Sequence, residues 1–340
     1  MKQKKWWYIC LSYIQAVSWS LRHELLHKKP KGIFLHSLFR SGSTYFFGKF
    51  RGIDGFWCYY EPLHHQLIEL KQDRLDIFPY DKKTTGNMSH PNLQKPHFYE
   101  FKAVLKNNHI PFFNTLMSYR EFSTVRQHAN TYKYIMTLML RTPDNLTPLL
   151  QFNRSSLRIG WFKRFFKNSL HVYISRNSRD QFESHYKQGR KYNIFLAINL
   201  YIIASNNHYM KFDDVYSSYK DEFKVTHDLY YDLKRLAYFS ADVDKKVHYR
   251  VFMHLWITSL IEAKKHADYI IDIDRLSDSD EYRKSVEDVF GQKFDLSSLH
   301  FDDCSVKHYD QSSLDDASCE AIEKEVKEAY RKELDTVKID

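Results

Sequence analysis

Cysteine is scarce in this sequence, and the spacing of the few cysteines present excludes several kinds of site. Cys10, Cys58, Cys304 and Cys319 are scattered over 340 residues, and no two of them form a C-x-x-C pair. A structural zinc site or a thioredoxin-type redox motif is built on such closely spaced cysteines. Isolated cysteines in a chain of this length are typical of reduced thiols, so we expect a reducing compartment.

The N-terminal segment lacks an apolar run long enough to span a bilayer. Its uncharged run, from Trp6 to Leu21, has 16 residues and contains serine and glutamine, whereas a spanning helix needs about 20 predominantly apolar residues. Helical spacing places five large apolar residues on one face, with a serine in the gap: Trp7, Leu11, Ile14, Leu21 and Leu25. Residues 1–29 therefore have three interpretations, namely a helix packed on the domain, a helix lying on a membrane surface, and a signal peptide or Golgi-type anchor.

The sequence contains no internal repeat and no low-complexity tract. Its balance of charges indicates which kinds of binding partner suit the chain. Lys and Arg number 51 against 42 Asp and Glu, which gives a net charge of +9. A basic chain suits anionic partners, such as a nucleotide with several phosphates, an acidic polysaccharide, a membrane surface or nucleic acid. A mildly basic protein with no such partner has the same composition. Aromatic residues make up 16% of the chain, which suits a sugar-facing cleft.

Predicted strands and helices alternate over residues 30–340, which favours a single α/β domain with a P-loop-like parallel sheet flanked by helices on both faces. The predicted strands are 33–35, 56–60, 149–153, 171–175 and 269–273. One predicted helix begins at Ser43. A second is capped by Ser155 or Ser156 and runs through Phe166, and a third is capped by Asn177 or Ser178. Further helices are predicted at 121–140, 194–204 and 251–267. We expect a loop insertion at 71–110 and a mainly helical segment at 190–267.

The connection between the first predicted strand and its helix has the composition of a phosphate-binding loop. Free N–H groups at a helix N-terminus point outward, and the helix dipole favours an anion there. Gly42 allows the backbone to approach a ligand closely, while Ser41, Ser43 and Thr44 add hydroxyl donors. An ordinary strand–turn–helix connection rich in serine and glycine has the same pattern.

This loop is not the G-x-x-x-x-G-K-[ST] loop of nucleotide triphosphatases. Ser43 stands where that pattern needs lysine, and Ser37 stands where it needs the first glycine. The cation is Arg40, which precedes Gly42. The sequence therefore predicts a phosphate cradle of another type.

Two motifs together resemble the sulfotransferases that use 3'-phosphoadenosine 5'-phosphosulfate, and among them most closely the carbohydrate sulfotransferases. The first motif is R-S-G-S-T at 40–44, followed by an aromatic strand that runs into Glu61-Pro62. The second is the strand 171–175 followed by Arg176-Asn177-Ser178-Arg179, with Ser184 eight residues after Arg176. Residues 272–276 loosely resemble the family's late strand. The resemblance implies that phosphoadenosine phosphosulfate is the co-substrate.

The resemblance also assigns roles to the motif residues. Arg40 and Ser41 would contact the phosphosulfate, and the backbone of 42–44 would cradle the 5'-phosphate. Arg176 and Ser184 would hold the 3'-phosphate. Because protein cations can neutralise the leaving group, no metal is expected.

A general base must take the proton of the acceptor hydroxyl, and Glu61 is the first candidate. It follows a predicted strand next to the phosphate loop, where open α/β sheets carry their chemistry. His64 and His65 lie one turn further on and are the alternatives.

The acceptor expected from the resemblance is a glycan or lipid-linked sugar in surface-polysaccharide biosynthesis. We expect a cytoplasmic enzyme, in membrane contact if residues 1–29 lie on a bilayer, and no nucleic-acid partner. Two other functions remain open: a P-loop kinase or NTPase-like nucleotide binder that has lost its lysine, and a non-catalytic glycan- or membrane-binding relative.

Overall fold

Five strands form one all-parallel sheet in the order β2-β3-β1-β4-β5. The computed structural model describes residues 2–25, 31–75, 95–121, 128–187, 194–206, 212, 224–226, 228–294, 296, 298–309 and 314–337. The strands are β1 (Ile33–Ser37), β2 (Phe56–Tyr60), β3 (Thr147–Phe152), β4 (Leu170–Ser175) and β5 (Tyr269–Asp272). In register, Ile33 lies opposite Leu149 of β3 and Leu170 of β4. The α/β class, the parallel sheet and the five predicted strands are thus confirmed, with ends shifted by a few residues at most.

Helices flank this sheet and complete a single domain. They are α1 (Lys2–Leu25), α2 (Ser43–Arg51), α3 (Leu116–Tyr119), α4 (His128–Leu140), α5 (Ile159–Phe165), α6 (Ser178–Lys187), α7 (Ile194–Asn206), α8 (Leu229–Ser240), α9 (Lys245–His266), α10 (Ile273–Asp278), α11 (Asp280–Phe294), α12 (Asp316–Ala329) and α13 (Arg331–Val337). Short 3-10 helices occur at His65–Glu69 and Tyr99–Ala103.

The central strand is buried along its whole length, as expected for a parallel strand that is covered on both faces. Its residues include a histidine, His36, whose pKa is held well below its usual range by burial. Both of its ring nitrogens have hydrogen-bond partners. Its Nδ1 lies 2.7 Å from Ser155 Oγ, and its Nε2 lies 3.1 Å from His171 Nδ1. The other nitrogen of His171 lies 3.1 Å from the carbonyl of Phe166. This chain of hydrogen bonds connects β1 to β4 and to the end of α5, behind the loop 38–42.

The hydrogen bond between His36 and Ser155 explains why one predicted helix start is wrong. The predicted cap at Ser155 or Ser156 is wrong, because α5 begins at Ile159 with Arg158 as its N-cap. Ser155 is withdrawn into the core by its bond to His36, so its hydroxyl does not cap the helix. By contrast, Asn177 caps α6 as predicted, since its Oδ1 accepts the amide protons of Arg179 and Asp180.

Two predicted segments are only partly described. The loop insertion at 71–110 has its middle, 76–94, outside the described residues, and its end is packed: Phe98 and Phe101 are fully buried. The predicted helix at 121–140 is described from His128 onward. The helix predicted at 251–267 begins earlier, at Lys245, where Asp244 caps it.

Helix α1 packs beside α4 through the face opposite to its apolar stripe. Ala16 and Ser20 are buried there, and Ser12 Oγ accepts the amide proton of Ala129 at 3.1 Å. No helix in the described part of the chain is long and apolar enough to cross a membrane.

Candidate functional site

The predicted site residues converge on the carboxyl edge of the sheet, around the end of β1. From β1 the chain moves two positions aside to β2, returns to β3, and only then passes to β4 on the other side of β1. The strand order therefore reverses next to β1, and in open α/β sheets such a switch point opens the crevice that holds ligands.

The loop after β1 has the backbone that a phosphate cradle needs. Gly42 has a φ of 84°, a left-handed conformation that glycine adopts without strain. A Cβ at this position would lie 2.9 Å from Cγ1 of Ile273, so the neighbouring helix α10 leaves room for hydrogen only. The first turn bond of α2 runs from the amide of Tyr45 to the carbonyl of Gly42, at 2.9 Å. The amides of Ser43 and Thr44 precede it, so they remain available at the helix N-terminus.

Arg40 brings the two distant sequence motifs into contact. Its Nε donates to Ser184 Oγ at 3.1 Å, and its carbonyl accepts from Arg176 Nη1 at 3.2 Å. Burial lowers the pKa of the Arg40 guanidinium. Tyr309 raises this pKa, and Arg176 lowers it by a smaller amount. No carboxylate among the described residues pairs with Arg40, and Arg176 has only a long ion pair, 3.8 Å, with Asp274. Two guanidinium groups thus lie together with little compensating negative charge.

Sequence reasoning missed Asn153, which connects the phosphate loop to Glu61. The hydroxyls of Ser37 and Ser43 donate to Asn153 Oδ1 at 2.7 and 2.8 Å, and Asn153 Nδ2 donates to Glu61 Oε1 at 2.7 Å. The Ser43 hydroxyl therefore points into this network. In addition, Thr44 Oγ1 lies 3.3 Å from the hydroxyl of Tyr60, the residue before Glu61. The loop and the predicted base are consequently held in one hydrogen-bonded unit.

Glu61 is held by a second residue that the sequence did not reveal, Arg154. The two side chains form a buried ion pair, and burial lowers the pKa of Arg154 to about 9. The guanidinium lies between the rings of Phe39 and Tyr119, 5.1 and 4.9 Å from their centroids. Glu61 itself has a φ of 39°, a left-handed conformation that costs a non-glycine residue about 1 kcal/mol. Arg40 has a φ of 66°, and such residues cluster at functional sites.

The backbone amide of His64 donates to the Glu61 carbonyl at 2.9 Å, and the His64 ring has a partner of its own. Its Nδ1 accepts the amide proton of Gln66 at 3.2 Å, which puts the ring proton on Nε2. Burial holds the pKa of His64 well below its usual range. Burial also lowers the pKa of His65 to about 4, and its Nδ1 lies 3.1 Å from the Tyr119 hydroxyl. Both histidines are therefore weaker bases than their residue type suggests.

One group of side chains with metal-ligand chemistry lies next to Arg176, and sequence reasoning missed it as well. Asp180, Asp274 and His308 bring one ligand atom each within 4.8 Å of the others. These atoms already have partners: Asp180 accepts from His308 Nδ1 and from the Tyr309 amide, both at 2.9 Å. The cluster therefore fastens the segment around His308 to α6 beside the site.

The comparisons with known proteins do not place the chain in a family. The sequence matches no family model, and searches among curated proteins and solved structures found no match.

Proposed function

We propose that this protein transfers a sulfuryl group from 3'-phosphoadenosine 5'-phosphosulfate to a carbohydrate hydroxyl. The acceptor oxygen attacks sulfur in line with the bond between sulfur and the bridging phosphate oxygen. A new oxygen–sulfur bond forms as that bond breaks, and adenosine 3',5'-bisphosphate leaves with the bonding electron pair. The acceptor proton passes to Glu61. Positioning and electrostatic stabilisation supply most of the rate enhancement in this type of group transfer.

The observation that carries this proposal is the contact between Arg40 and the segment that contains Arg176 and Ser184. The resemblance requires that two motifs far apart in sequence bind the two ends of one bisphosphate nucleotide. The Arg40 side chain donates to Ser184 Oγ at 3.1 Å, and the Arg176 side chain donates to the Arg40 carbonyl at 3.2 Å. Because Arg40 lacks a described carboxylate partner, an anionic ligand is the natural complement of this cluster. The hydroxyl of Ser41, which is buried without a partner in the described residues, is a further donor beside it.

The position of Glu61 supports its role as the base. Asn153 and Arg154 bind the carboxylate and fix its direction, and each carboxylate oxygen retains a second acceptor position for an acceptor hydroxyl. Arg154 also places a positive charge beside this carboxylate.

Nucleotide preference tests the proposal directly. Adenosine 3',5'-bisphosphate is expected to raise the melting temperature far more than AMP, because a charge-assisted bond to Arg176 is worth roughly 1.5–3 kcal/mol. The substitution Arg176→Ala should abolish the difference between the two ligands. The measurement is a thermal-shift titration with both nucleotides.

Arg179→Ala is the matched control for Arg176→Ala. Arg179 lies in the same motif but pairs with Glu323 at 2.7 Å, away from Arg40, so its removal should leave the preference intact. Equal stabilisation of the unaltered protein by AMP and by the bisphosphate would overturn the assignment of 171–184. A larger shift with ATP and magnesium would favour the kinase-like alternative, and bisphosphate binding without turnover would favour the non-catalytic relative.

Arg40 should not tolerate lysine even though the charge is kept. A guanidinium can donate to Ser184 and to a phosphosulfate oxygen at the same time, whereas an ammonium is a point charge on a flexible stem. We expect Arg40→Lys to lose at least about tenfold in kcat/KM, equivalent to roughly 1.4 kcal/mol. The assay follows radiolabelled sulfate transfer, and wild-type turnover in this variant would remove Arg40 from the site.

A further inference from the structure

The N-terminal helix α1 presents large apolar side chains to solvent along one face. Trp7, Leu11, Ile14 and Leu21 are 76, 51, 61 and 53% exposed. They span about 21 Å along the helix axis at 1.5 Å per residue. Exposed apolar residues scattered singly are ordinary, but an aligned row of them marks an interaction surface.

The inward face of α1 packs against the domain through a mixture of small and aromatic side chains. Ala16 and Ser20 are fully or almost fully buried against the domain, and Tyr13, Val17 and Trp19 pack partly against its core. A helix that served only to cover the domain would turn its largest aliphatic residues inward. The outward stripe therefore requires another explanation than packing within the domain.

Basic residues outnumber acidic ones in the sequence of α1. Within α1 the sequence has Lys2, Lys4, Lys5 and Arg22, and Glu24 is its sole acidic residue. Glu24 is neutralised by Lys167 at 2.6 Å. Neither α4 nor α5, which lie beside α1, contains an acidic residue. The face built by these three helices thus has almost no negative charge of its own.

Cations are held against both flanks of the helix by aromatic rings of α1. On one flank, Lys133 Nζ lies 3.7 Å from the ring centroid of Trp19 and 5.3 Å from that of Phe112, a residue 46% exposed. On the other flank, the guanidinium of Arg164 lies 5.0 Å from the ring of Tyr13. An apolar ridge bordered by cations on each side complements a bilayer with acyl chains below anionic headgroups.

We propose that α1 binds the surface of an anionic lipid bilayer, with its axis in the plane of the interface. Trp7, Leu11, Ile14 and Leu21 enter the boundary between headgroups and acyl chains, while Lys133 and Arg164 contact lipid phosphates. A second copy of the chain fits this face less well, because an isologous contact would set its cations against identical cations. This inference is independent of the proposed transfer reaction.

Vesicle co-sedimentation tests this inference, with vesicles of phosphatidylcholine alone and of phosphatidylcholine mixed with phosphatidylglycerol. The full chain is expected to bind the mixed vesicles at least tenfold more tightly, and to be released by salt. The double variant Leu11→Ser, Ile14→Ser should lose at least tenfold in binding. Arg164→Gln should lose about fivefold, since each cation near such a surface contributes about 1 kcal/mol.

Ile68→Ser is the matched control, because Ile68 is 56% exposed and lies outside α1. It should bind vesicles like the unaltered chain, and all variants should keep their melting temperatures since the altered side chains are exposed. Equal binding to both kinds of vesicle, or to neither, would overturn the proposal. So would a dimer in sedimentation equilibrium that the Leu11→Ser, Ile14→Ser variant dissociates, because a second copy would then cover the stripe.

Discussion

Replacing Glu61 by glutamine is expected to lower turnover by roughly 10²–10⁴-fold, the usual contribution of a general base. The amide keeps the size of the side chain and can still accept the bond from Asn153, but it cannot take a proton at neutral pH. Binding of adenosine 3',5'-bisphosphate should be nearly unchanged, since Glu61 acts on the acceptor. Sulfate transfer under saturating co-substrate and bisphosphate titration together measure the two quantities.

The ion pair with Arg154 makes a stability control necessary. Glu61→Gln leaves a buried guanidinium without its carboxylate, and breaking such a pair typically costs about 3–5 kcal/mol. Glu100→Gln is the matched variant, because Glu100 forms an equally buried pair with Arg51 at 2.7 Å, near the other end of α2. It should lose stability to a similar extent while keeping turnover per folded molecule. Similar losses of turnover in both variants would mean that Glu61 acts through stability alone.

The variants His64→Asn and His65→Asn, made separately, distinguish the remaining bases. Both should keep most of the activity, because the Nδ1 atoms of both rings already have partners and burial lowers the pKa of each histidine. Loss of turnover in either variant, with Glu61→Gln active, would move the base to that histidine.

Mild acid is expected to unfold this protein, because its core holds histidines in their neutral form. Burial lowers the pKa of four histidines that are almost fully shielded from solvent: His36, His64, His171 (to about 4) and His185 (to about 3). Unfolding returns each to a pKa near 6.5. Their contribution to stability is therefore complete above pH 6.5 and is lost as the pH falls towards 4.

The expected slope is large on the scale of a domain's stability. For each proton taken up on unfolding, the free energy of unfolding falls by about 1.4 kcal/mol for every unit by which the pH is lowered. Four protons therefore give a slope of at most about 5 kcal/mol per pH unit. Buried carboxyls act in the opposite direction, chiefly Glu121, whose pKa burial raises to about 7. A net slope of about 3 kcal/mol per unit below pH 6 would exhaust a typical stability of roughly 5–15 kcal/mol within a few units. Urea unfolding at several pH values measures it.

His185→Phe isolates one of these protons. The ring of His185 is buried against Phe39, Phe195 and Phe252, and neither nitrogen has a partner among the described residues. Phenylalanine should fill the same space and reduce the slope by about 1.4 kcal/mol per pH unit. The exposed His109 gives the control His109→Phe, which should leave the slope unchanged. A flat profile between pH 7 and 5 would contradict the neutral-histidine account.

The strand pattern could be predicted from the sequence because parallel strands covered on both faces have short apolar runs bounded by turn residues. The boundaries of the helices were harder to predict from the sequence. Ser155 has the residue type of a cap, but its partner is His36 of β1, far away in the sequence. Residues 211–246 have high charge and scattered tyrosines, and the sequence alone did not reveal α8, which Asp228 caps through its bond to the Tyr231 amide.

The site residues that the sequence proposed belong to contiguous motifs, whereas the neighbouring residues that it missed do not. Arg40, Arg176 and Ser184 stand in such motifs, and they lie together. Asn153 and Arg154 directly follow β3. The sheet order that places β3 between β1 and β2 cannot be predicted from the hydrophobic periodicity of the sequence. The predicted strand 149–153 ends at Asn153, so a search for charged or amide residues at or directly after the end of every predicted strand would have found both.

The central position of β1 has a consequence for how the chain folds as it is synthesised. The two neighbours of β1 in the sheet follow it late in the chain: the contacts of His36 with Ser155 and His171 close loops of 119 and 135 residues. Contacts of such long range slow folding, since loop-closure entropy is lost before any pairing compensates for it. Until β3 and β4 emerge from the ribosome, the nascent β1 is an unpaired apolar strand that can aggregate. We therefore expect truncation before Thr147, where β3 begins, to yield an insoluble product.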